Sequence, residues 1–253
     1  MMNKSYGIFA EFYDRLTENV EYKKRAEYFD SVIKKHSGKE NGILLDLACG
    51  TGSLSEEFDS LGYDVIGIDN STEMLCVAMN KKYESHKNIQ YVCQDMRKLE
   101  LYGCVDITVC ALDSLNHLES LSDIKLVFEN VYKFTEPGGL FIFDMNTEYK
   151  HSKVLGNNTF VYDMDEVYCV WQNFCEDCSV LICLDFFVPD ENGKYERYSE
   201  EFTENAFPIN DVKNELENTG FEILGIYDED SFEKIKENSQ RVVFALRRPN
   251  NLR

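Results

Sequence analysis

Short apolar runs alternate with longer amphipathic segments along the first 150 residues. The run 43–48 is almost entirely apolar and is bounded by Gly42 and Gly50, which is typical of a strand buried on both faces. A segment with helical periodicity follows it at 53–61. The unit recurs, with further predicted strands at 63–69, 89–93, 105–112 and 140–145 and further predicted helices at 20–35, 70–82 and 121–131. This order predicts an α/β fold with a doubly wound parallel sheet.

The pattern changes from about residue 159. Three β-rich runs joined by short turns follow, at 167–174, 179–188 and 195–203. They predict an antiparallel meander. The alternation of helices and strands then resumes, with a predicted helix at 212–218 and predicted strands at 221–227 and 242–246. The predicted main sheet therefore has seven strands. We therefore expect one domain formed by 1–150 and 206–253, with the meander inserted at 151–205.

The composition suits a folded protein, since 43% of the 253 residues are hydrophobic. The sequence contains 26 Lys and Arg residues and 46 Asp and Glu residues, which gives a net charge of −20. A surface of this sign repels the phosphates of nucleic acids and of anionic membranes, so we expect neither as a partner. The expected partner is a small molecule, and the oligomeric state stays open.

Cysteine usage indicates the compartment. The nine cysteines are odd in number and scattered through apolar runs, which is typical of buried thiols in a reducing environment. The first residues lack the apolar stretch of a secretory signal, and no window approaches the ~20 apolar residues of a membrane-spanning helix. We expect a cytoplasmic protein.

Cys175 and Cys178 form a CxxC motif, which could serve as a redox pair or as half of a zinc site. A four-ligand zinc site needs a second pair, and the nearby Cys169 and Cys183 lie at spacings unlike those of a zinc ribbon. The favoured interpretation is a hairpin turn at Glu176–Asp177, and no metal site is expected.

The sequence LLDLACGTG at 44–52 carries the clearest chemical signal. A buried strand leads into a loop of small residues and then into a helix, so the backbone can approach a ligand where a Cβ would clash. Ser55 stands at the position of the third glycine of a dinucleotide fingerprint, and Asp46 disfavours a pyrophosphate nearby. Asp46 instead favours a ligand that carries positive charge.

Two further acids follow the next two strands. Asp69 stands where an acid can accept hydrogen bonds from ribose hydroxyls. Asp95 could accept from the exocyclic amine of adenine, with Met96 against the ring face. Since the carboxyl ends of successive parallel strands meet at one edge of a sheet, we expect Asp46, Asp69 and Asp95 in one crevice.

The motif series LDLACGTG, VIGIDNSTEML, QDMRKL and PGGLFIFDMN, within 43–146, resembles that of the class I S-adenosylmethionine-dependent methyltransferases. The opening FAEFYD at 9–14 resembles a subset with a β-meander after the fifth strand. The stretches 165–173 and 195–204 look like the uncharacterised YqeM-type methyltransferases of bacteria, and the architecture is similar to that of dTDP-amino-sugar N,N-dimethyltransferases. The resemblance implies a Rossmann-like sheet, mostly parallel with one antiparallel strand, and a meander over the methyl acceptor.

The resemblance also implies S-adenosylmethionine as the cofactor, S-adenosylhomocysteine as its product, and a set of binding residues. These are Asp46, Ala48, Gly50, Asp69, Asn70, Met74, Asp95, Met96, Tyr13 and Tyr22. The first three would hold the methionine part, Asp69 the ribose, and Asp95 with Met96 the adenine. Ala48 replaces a family glycine, a change expected to cost little. Tyr13 and Tyr22 would close over the cofactor, or pack on a helix face.

His117, in the loop after the fourth strand, is the candidate catalytic residue, because a histidine can accept a proton from an amine or a hydroxyl. Methyl transfer is an in-line displacement that depends mainly on placement, so His117 could equally line the pocket without acting as a base. Further expected pocket residues are Leu112, Asn116, Trp171 and Arg197. The other histidines, His36, His86 and His151, are expected at the surface.

These observations predict methyl transfer from S-adenosylmethionine to a nitrogen or oxygen of a small molecule. Two alternatives stay open. An NAD(P)-dependent Rossmann oxidoreductase would need a better third glycine and a Tyr–Lys or Cys–His constellation. A non-catalytic module would bind S-adenosylmethionine or S-adenosylhomocysteine without turnover.

Overall fold

The computed structural model describes residues 5–37 and 41–250. Within them the α-helices are α1 (Ser5–Leu16), α2 (Tyr22–Ser37), α3 (Ser53–Ser60), α4 (Thr72–Ser85), α5 (Leu121–Phe134) and α6 (Ile209–Thr219). The strands are β1 (Ile43–Leu47), β2 (Asp64–Asp69), β3 (Gln90–Cys93), β4 (Val105–Cys110), β5 (Thr135–Asn146), β6 (Thr159–Asp163), β7 (Tyr168–Glu176), β8 (Ser179–Pro189), β9 (Tyr195–Asn205), β10 (Glu222–Asp228) and β11 (Arg241–Arg247). Short 3-10 helices lie at 18–20, 96–98 and 114–117, and a π-helix lies at 150–155.

Seven strands form the main sheet, in the order β10-β11-β5-β4-β1-β2-β3. Strands β1 to β5 pair in parallel, whereas β11 runs antiparallel to both β5 and β10. The predicted Rossmann-like, doubly wound sheet with one antiparallel strand is therefore confirmed. Because the chain winds outward from β1 in both directions, the loops after β1 and β4 flank a crevice, where folds of this kind bind ligands.

Helices cover both faces of the main sheet, which explains why its central strands are largely apolar. On one face Phe128 of α5 packs against Phe141 and Phe143 of β5, at ring distances of 6.0 and 5.5 Å. On the other face Phe29 of α2 meets Phe58 of α3 at 6.4 Å. All five rings are fully buried, and each contributes about 1.5–3 kcal/mol by leaving water.

A second, antiparallel sheet has the order β6-β7-β8-β9. The three predicted strands correspond to β7, β8 and β9. Strand β6 was not predicted, because almost all of its residues are exposed and no alternation marks a buried face. The turn between β7 and β8 is formed by Asp177 and Cys178, with φ of 47° and 64°, as two-residue hairpins require. The expected turn at Glu176–Asp177 is thus wrong by one residue, and the boundaries 151–205 stay a prediction.

The second sheet lies over the carboxyl ends of the main sheet. Helix α1 packs between them, since its Phe12 and Leu16 share an apolar cluster with Phe186 of β8. At the end of β9, Asn205 Nδ2 donates to Leu118 O at 2.9 Å and fixes this strand to the segment that follows β4. Among the described residues no helix combines the length and the apolar character needed to cross a bilayer.

Candidate active site

A cavity of about 690 Å³ lies between the carboxyl ends of the main sheet and the second sheet, which is within the size range of small-molecule sites. The segments that follow β1, β2, β3 and β4 form one side of it, and α1, β7 and β9 close the other. Of the predicted site residues, those that line it are Tyr13, Ala48, Gly50, Asp69, Asn70, Met74, Asp95, Met96, Leu112, His117 and Trp171.

The loop after β1 turns sharply beside the cavity. Gly50 has φ of +54°, and its amide donates to Asp69 Oδ2 at 2.8 Å. Ala48 has φ of +61°, a backbone region that costs a residue with a Cβ about 1–2 kcal/mol. The expectation that alanine costs little at position 48 is therefore wrong, because its backbone is left-handed.

Asp69 organises the next edge of the cavity. Its Oδ2 accepts from Gly50 N, and its Oδ1 accepts from Ser71 N at 2.8 Å. Ser71 in turn caps α4, since its hydroxyl accepts from Met74 N at 3.1 Å. The carboxylate thus joins two loops, and each of its oxygens retains a lone pair for a ligand in the cavity.

Asp95 stands at the start of the 3-10 helix after β3. Its carboxylate accepts from Arg97 N at 2.9 Å and from Arg97 Nη2 at 2.8 Å. These hydrogen bonds from Arg97 hold the pKa of Asp95 below its usual value. A permanently charged acceptor therefore lies beside Met96, which presents an apolar side chain to the same cavity.

Asp46 and Tyr22 lie apart from the other predicted cofactor residues. Both line a smaller cavity of about 40 Å³ that adjoins the main one and shares the walls formed by Ala48 and Gly50. Asp46 belongs to β1 itself, so its side chain is buried and accepts from Ser55 Oγ at 2.5 Å. Burial raises the pKa of Asp46 to about 7. Asp46 lines this adjoining cavity rather than the one that Asp69 and Asp95 line, but Asp69 is near enough to contribute to the raised pKa of Asp46.

Helix α1 closes the cavity above these loops. Phe9 and Tyr13 line it, and burial holds the pKa of Tyr13 well above its usual value. Asp14 accepts from Thr51 Oγ1 at 2.6 Å and from Ser53 Oγ at 3.0 Å, and it pairs with Lys81. The helix is therefore anchored directly to the loop after β1.

The loop after β4 is strained and held by one buried carboxylate. Leu112 and Asp113 have φ of 58° and 52°, and both line the cavity. Asp144 accepts from their amides at 3.0 and 2.7 Å. Its charge is balanced by Arg25 and Arg241, at 3.2 and 2.6 Å. These hydrogen bonds and ion pairs hold the backbone of Leu112 in its unfavourable left-handed conformation.

His117 and Asn116 differ in position although they are adjacent in the chain. His117 lines the cavity with 45% of its side chain exposed, and burial lowers its pKa. Asn116 is fully buried. Its Nδ2 donates to Asn205 O at 2.8 Å, and its Oδ1 accepts from Asn146 N at 2.9 Å. The expectation that Asn116 lines the pocket is wrong, because its amide joins β5 to β9.

In the second sheet, Trp171 lines the cavity and donates to Asn173 Oδ1 at 2.6 Å. Arg197 does not line it: its side chain is 60% exposed and pairs with Asp185 at 2.7 Å. The reason is the two-residue period of β9: between Tyr198 and Glu204 the even-numbered positions are the less exposed ones, and Arg197 is exposed like the other odd-numbered positions up to Thr203. The prediction for Arg197 is therefore wrong.

The same alternation places residues in the cavity that were not predicted, Glu200, Phe202 and Glu204. The aromatic Tyr198 and Phe202 are the signal that could have revealed this face. His151 was expected at the surface but is fully buried behind Glu204, with its Nε2 3.6 Å from Glu204 Oε2. The sequence around His151 gave no indication of burial, because His151 is buried by residues that are distant from it in the chain.

Comparisons with known proteins identify the family of this chain. Residues 44–139 match the model of a methyltransferase domain family. YqeM of Bacillus subtilis (strain 168), named as a methyltransferase, is similar at 30% identity over 251 residues, which covers 98% of each protein. An S-adenosylmethionine-dependent methyltransferase structure from Clostridium acetobutylicum is similar at 35% identity and TM-score 0.86, covering 96% of this chain and 99% of that one. The chain belongs to the S-adenosylmethionine-dependent methyltransferases.

The fold of this methyltransferase recurs in a more distant structure. The sugar N-methyltransferase KedS8 from Streptoalloteichus sp. shares 17% identity with TM-score 0.75, covering 96% of this chain and 93% of that one. The methyltransferase uses S-adenosylmethionine as its cofactor, and the interpretation as an NAD(P)-dependent oxidoreductase is set aside. We call the part of the cavity around the loop 48–52, Asp69 and Asp95 its cofactor end, and the part around His117 and Glu204 its acceptor end, after the ligands that we propose for them below.

Proposed function

We propose that this methyltransferase transfers a methyl group to a nitrogen or oxygen of a small molecule held at the acceptor end of the cavity. The observation that supports this most is the continuity of one cavity from Asp69 to Glu204, with α1 and the second sheet enclosing it. A polymer would need an open groove with a matching surface. The net charge of −20 disfavours a nucleic acid as that polymer.

The residues at the cofactor end suit S-adenosylmethionine. Asp69 offers two oxygens with free lone pairs, as two vicinal ribose hydroxyls require. Met96 offers an apolar surface for adenine beside the charged acceptor Asp95. No described atom lies within 4 Å of a Cβ built on Gly50, so the loop leaves space for the methionine part. In this proposal Asn70, Met74 and Tyr13 complete the contacts, with Asp46 and Tyr22 behind the loop.

Bound S-adenosylmethionine supplies an electrophilic methyl group on a positively charged sulfur. The chain's own contribution is to place the acceptor atom in line with that methyl, which can supply much of the rate enhancement. Leu112 and Trp171 form apolar walls, and Asp14 anchors α1 at the cavity through Thr51. Expulsion of water by the bound reactants would favour the reaction, because charge is dispersed as the methyl moves.

Labelling tests the proposal. The purified protein is incubated with methyl-labelled S-adenosylmethionine and a bacterial extract separated into small-molecule, nucleic-acid and protein fractions. We expect the label in the small-molecule fraction, and its loss in an Asp69→Ala variant. Label in either macromolecular fraction would contradict a small-molecule acceptor. An unlabelled extract, with S-adenosylhomocysteine still bound, would support the non-catalytic module instead.

A further inference from the structure

The acceptor end contains a buried pair of titratable groups that cofactor binding does not require. Glu204 is 6% exposed and His151 is fully buried. Glu204 Oε2 and His151 Nε2 lie 3.6 Å apart. Neither atom has a hydrogen-bond partner among the described residues. Such groups are costly to bury, so their presence at a ligand cavity points to a role there.

The tautomer of His151 follows from its other nitrogen. His151 Nδ1 lies 2.9 Å from Cys178 O, and a carbonyl oxygen only accepts, so Nδ1 carries the proton. In the neutral ring, Nε2 then has a lone pair directed at Glu204. An ionised Glu204 presents lone pairs as well, so one proton must lie between the two groups for them to attract each other. The pair is therefore built to hold a single proton.

The charges around this pair favour a positively charged occupant. Asp113 pairs with Arg241 at 2.8 Å and Asp95 with Arg97 at 2.8 Å, so these cations are neutralised. The other acidic and basic side chains that line the cavity are Lys150 and five carboxyl groups, those of Asp69, Glu119, Glu200, Glu201 and Glu204. Burial raises the pKa of Glu200 to about 7 and that of Glu204 to about 8, so their full negative charge develops above those values. This excess of carboxylates favours a cation over a neutral alcohol or an anion.

Resting on the proposed function, we propose that Glu204 binds the ammonium group of an amine acceptor and takes a proton from it, with His151 as the positioning residue behind. The nitrogen–hydrogen bond breaks and the proton binds a Glu204 oxygen. The electron pair left on nitrogen becomes the nucleophile for the methyl group. Protonated Glu204 then donates to His151 Nε2, which Cys178 O holds in the accepting tautomer. His117 Nε2, 3.9 Å from Glu204 Oε1, faces the same carboxyl from the cavity.

The titration of the pair depends on groups from several elements. Burial, together with Asp113, raises the pKa of Glu204 to about 8, against the opposing effect of Lys150 and Arg241. Burial lowers the pKa of His151 and of His117, so both rings stay neutral at pH 7. The charged and titratable groups that face the pair are Asp113, His117, Lys150 and Arg241. Glu204 thus ionises, and can bind an ammonium group, as the pH rises through about 8.

Histidine-selective ¹⁵N NMR of the full chain with bound S-adenosylhomocysteine tests the pair. We expect His151 and His117 to report one step near pH 8, while His151 Nδ1 stays protonated throughout. The step should vanish in Glu204→Gln and persist in Glu196→Gln, a matched change at an exposed position of the same strand. In His151→Asn, which keeps a donor for Cys178 O but removes the accepting nitrogen, the step seen at His117 should move to lower pH. Identical titrations in wild type and Glu204→Gln would overturn the proposal.

Methylammonium is the probe for the acceptor class, with methanol as the uncharged control at matched ionic strength. We expect methylammonium to shift the ring signals of His117 and His151 saturably at pH 9. Its affinity should fall by more than about tenfold at pH 6.5, because the competent ionised form is then a minor one. Equal shifts by both probes, or none by methylammonium, would overturn the amine assignment. Glu204→Gln should bind S-adenosylhomocysteine within about twofold of wild type, whereas a wild-type protein that binds none contradicts the proposed function instead.

Discussion

The two ends of the cavity are held together in different ways. At the cofactor end the hydrogen bonds span shorter stretches of chain: Gly50 and Asp69 are 19 positions apart, and Asp95 and Arg97 only two. The longer ones there join Asp14 of α1 to Thr51 and Ser53, across 37 and 39 positions. At the acceptor end the contacts join distant parts of the chain, such as Asp144 with Arg25 and Arg241 across 119 and 97 positions. The cofactor end is thus assembled by local segments, and the acceptor end by the completed fold.

This difference has a consequence for robustness. A change at the cofactor end should weaken the binding of one ligand and leave the fold intact. A change in the buried network at the acceptor end should destabilise the whole molecule, because it leaves buried arginines and amides without one of their partners.

The largest difference in effect between the two ends is expected for the replacement of Asp144. Asp144→Ala leaves Arg25 and Arg241 buried without this counter-charge and the amides of Leu112 and Asp113 without their acceptor. We expect a loss of about 3–5 kcal/mol in the free energy of unfolding, measured by urea denaturation. Glu136→Ala, at an exposed position of the same strand, is the control. A loss as small as that of the control would show that the network is not needed for stability.

Asp69→Ala should act mainly on ligand binding. The substitution removes the acceptor for Gly50 N and Ser71 N and the proposed ribose contact, with hydrogen bonds to a charged group contributing about 1.5–3 kcal/mol each. We expect the affinity for S-adenosylhomocysteine to fall by at least about 100-fold in calorimetry. The free energy of unfolding should fall by about 1.5–3 kcal/mol, less than in Asp144→Ala, because the freed amides can bind water. Asp64→Ala, at the opposite end of β2, should bind normally. Unchanged affinity in Asp69→Ala would remove the main support for the cofactor end.

A stabilising change is expected in the loop after β1. Ala48 occupies a left-handed conformation with φ of +61°, so Ala48→Gly relieves strain. The relief of strain contributes about 1–2 kcal/mol, and the greater freedom of glycine in the unfolded chain offsets part of it. We therefore expect the free energy of unfolding to rise by about 1 kcal/mol in total. Thermal and urea denaturation measure this directly. A destabilised variant would mean that the methyl group of Ala48 contributes packing that outweighs the strain.

Arg197→Ala should have the smallest effect. The side chain lies on the outer face of β9, where an exposed ion pair contributes about 0–1 kcal/mol. We expect unfolding free energy and S-adenosylhomocysteine affinity close to wild type, and an unchanged His117 titration. A large loss of methyl transfer in this variant would restore Arg197 to the acceptor pocket and contradict the assigned face of β9.

The same contrast explains which features the sequence could predict. Asp69 ends β2 and Asp95 lies two residues after β3, so strand order alone indicated their place. The sheet with its antiparallel strand agreed with the prediction. Arg197 was misplaced because the face of β9 depends on alternation, which Tyr198 and Phe202 mark. His151 and Asn116 could not be placed, because their burial results from contacts with Cys178 and Asn205 that only the fold creates.

A crystal structure with S-adenosylhomocysteine bound is the most direct measurement of the central claim. We expect the ribose hydroxyls within hydrogen-bonding distance of Asp69, the adenine beside Asp95 and Met96, and the sulfur facing Glu204 and His117. A ligand whose sulfur faces away from Glu204, or whose adenosine lies outside the cavity, would contradict it.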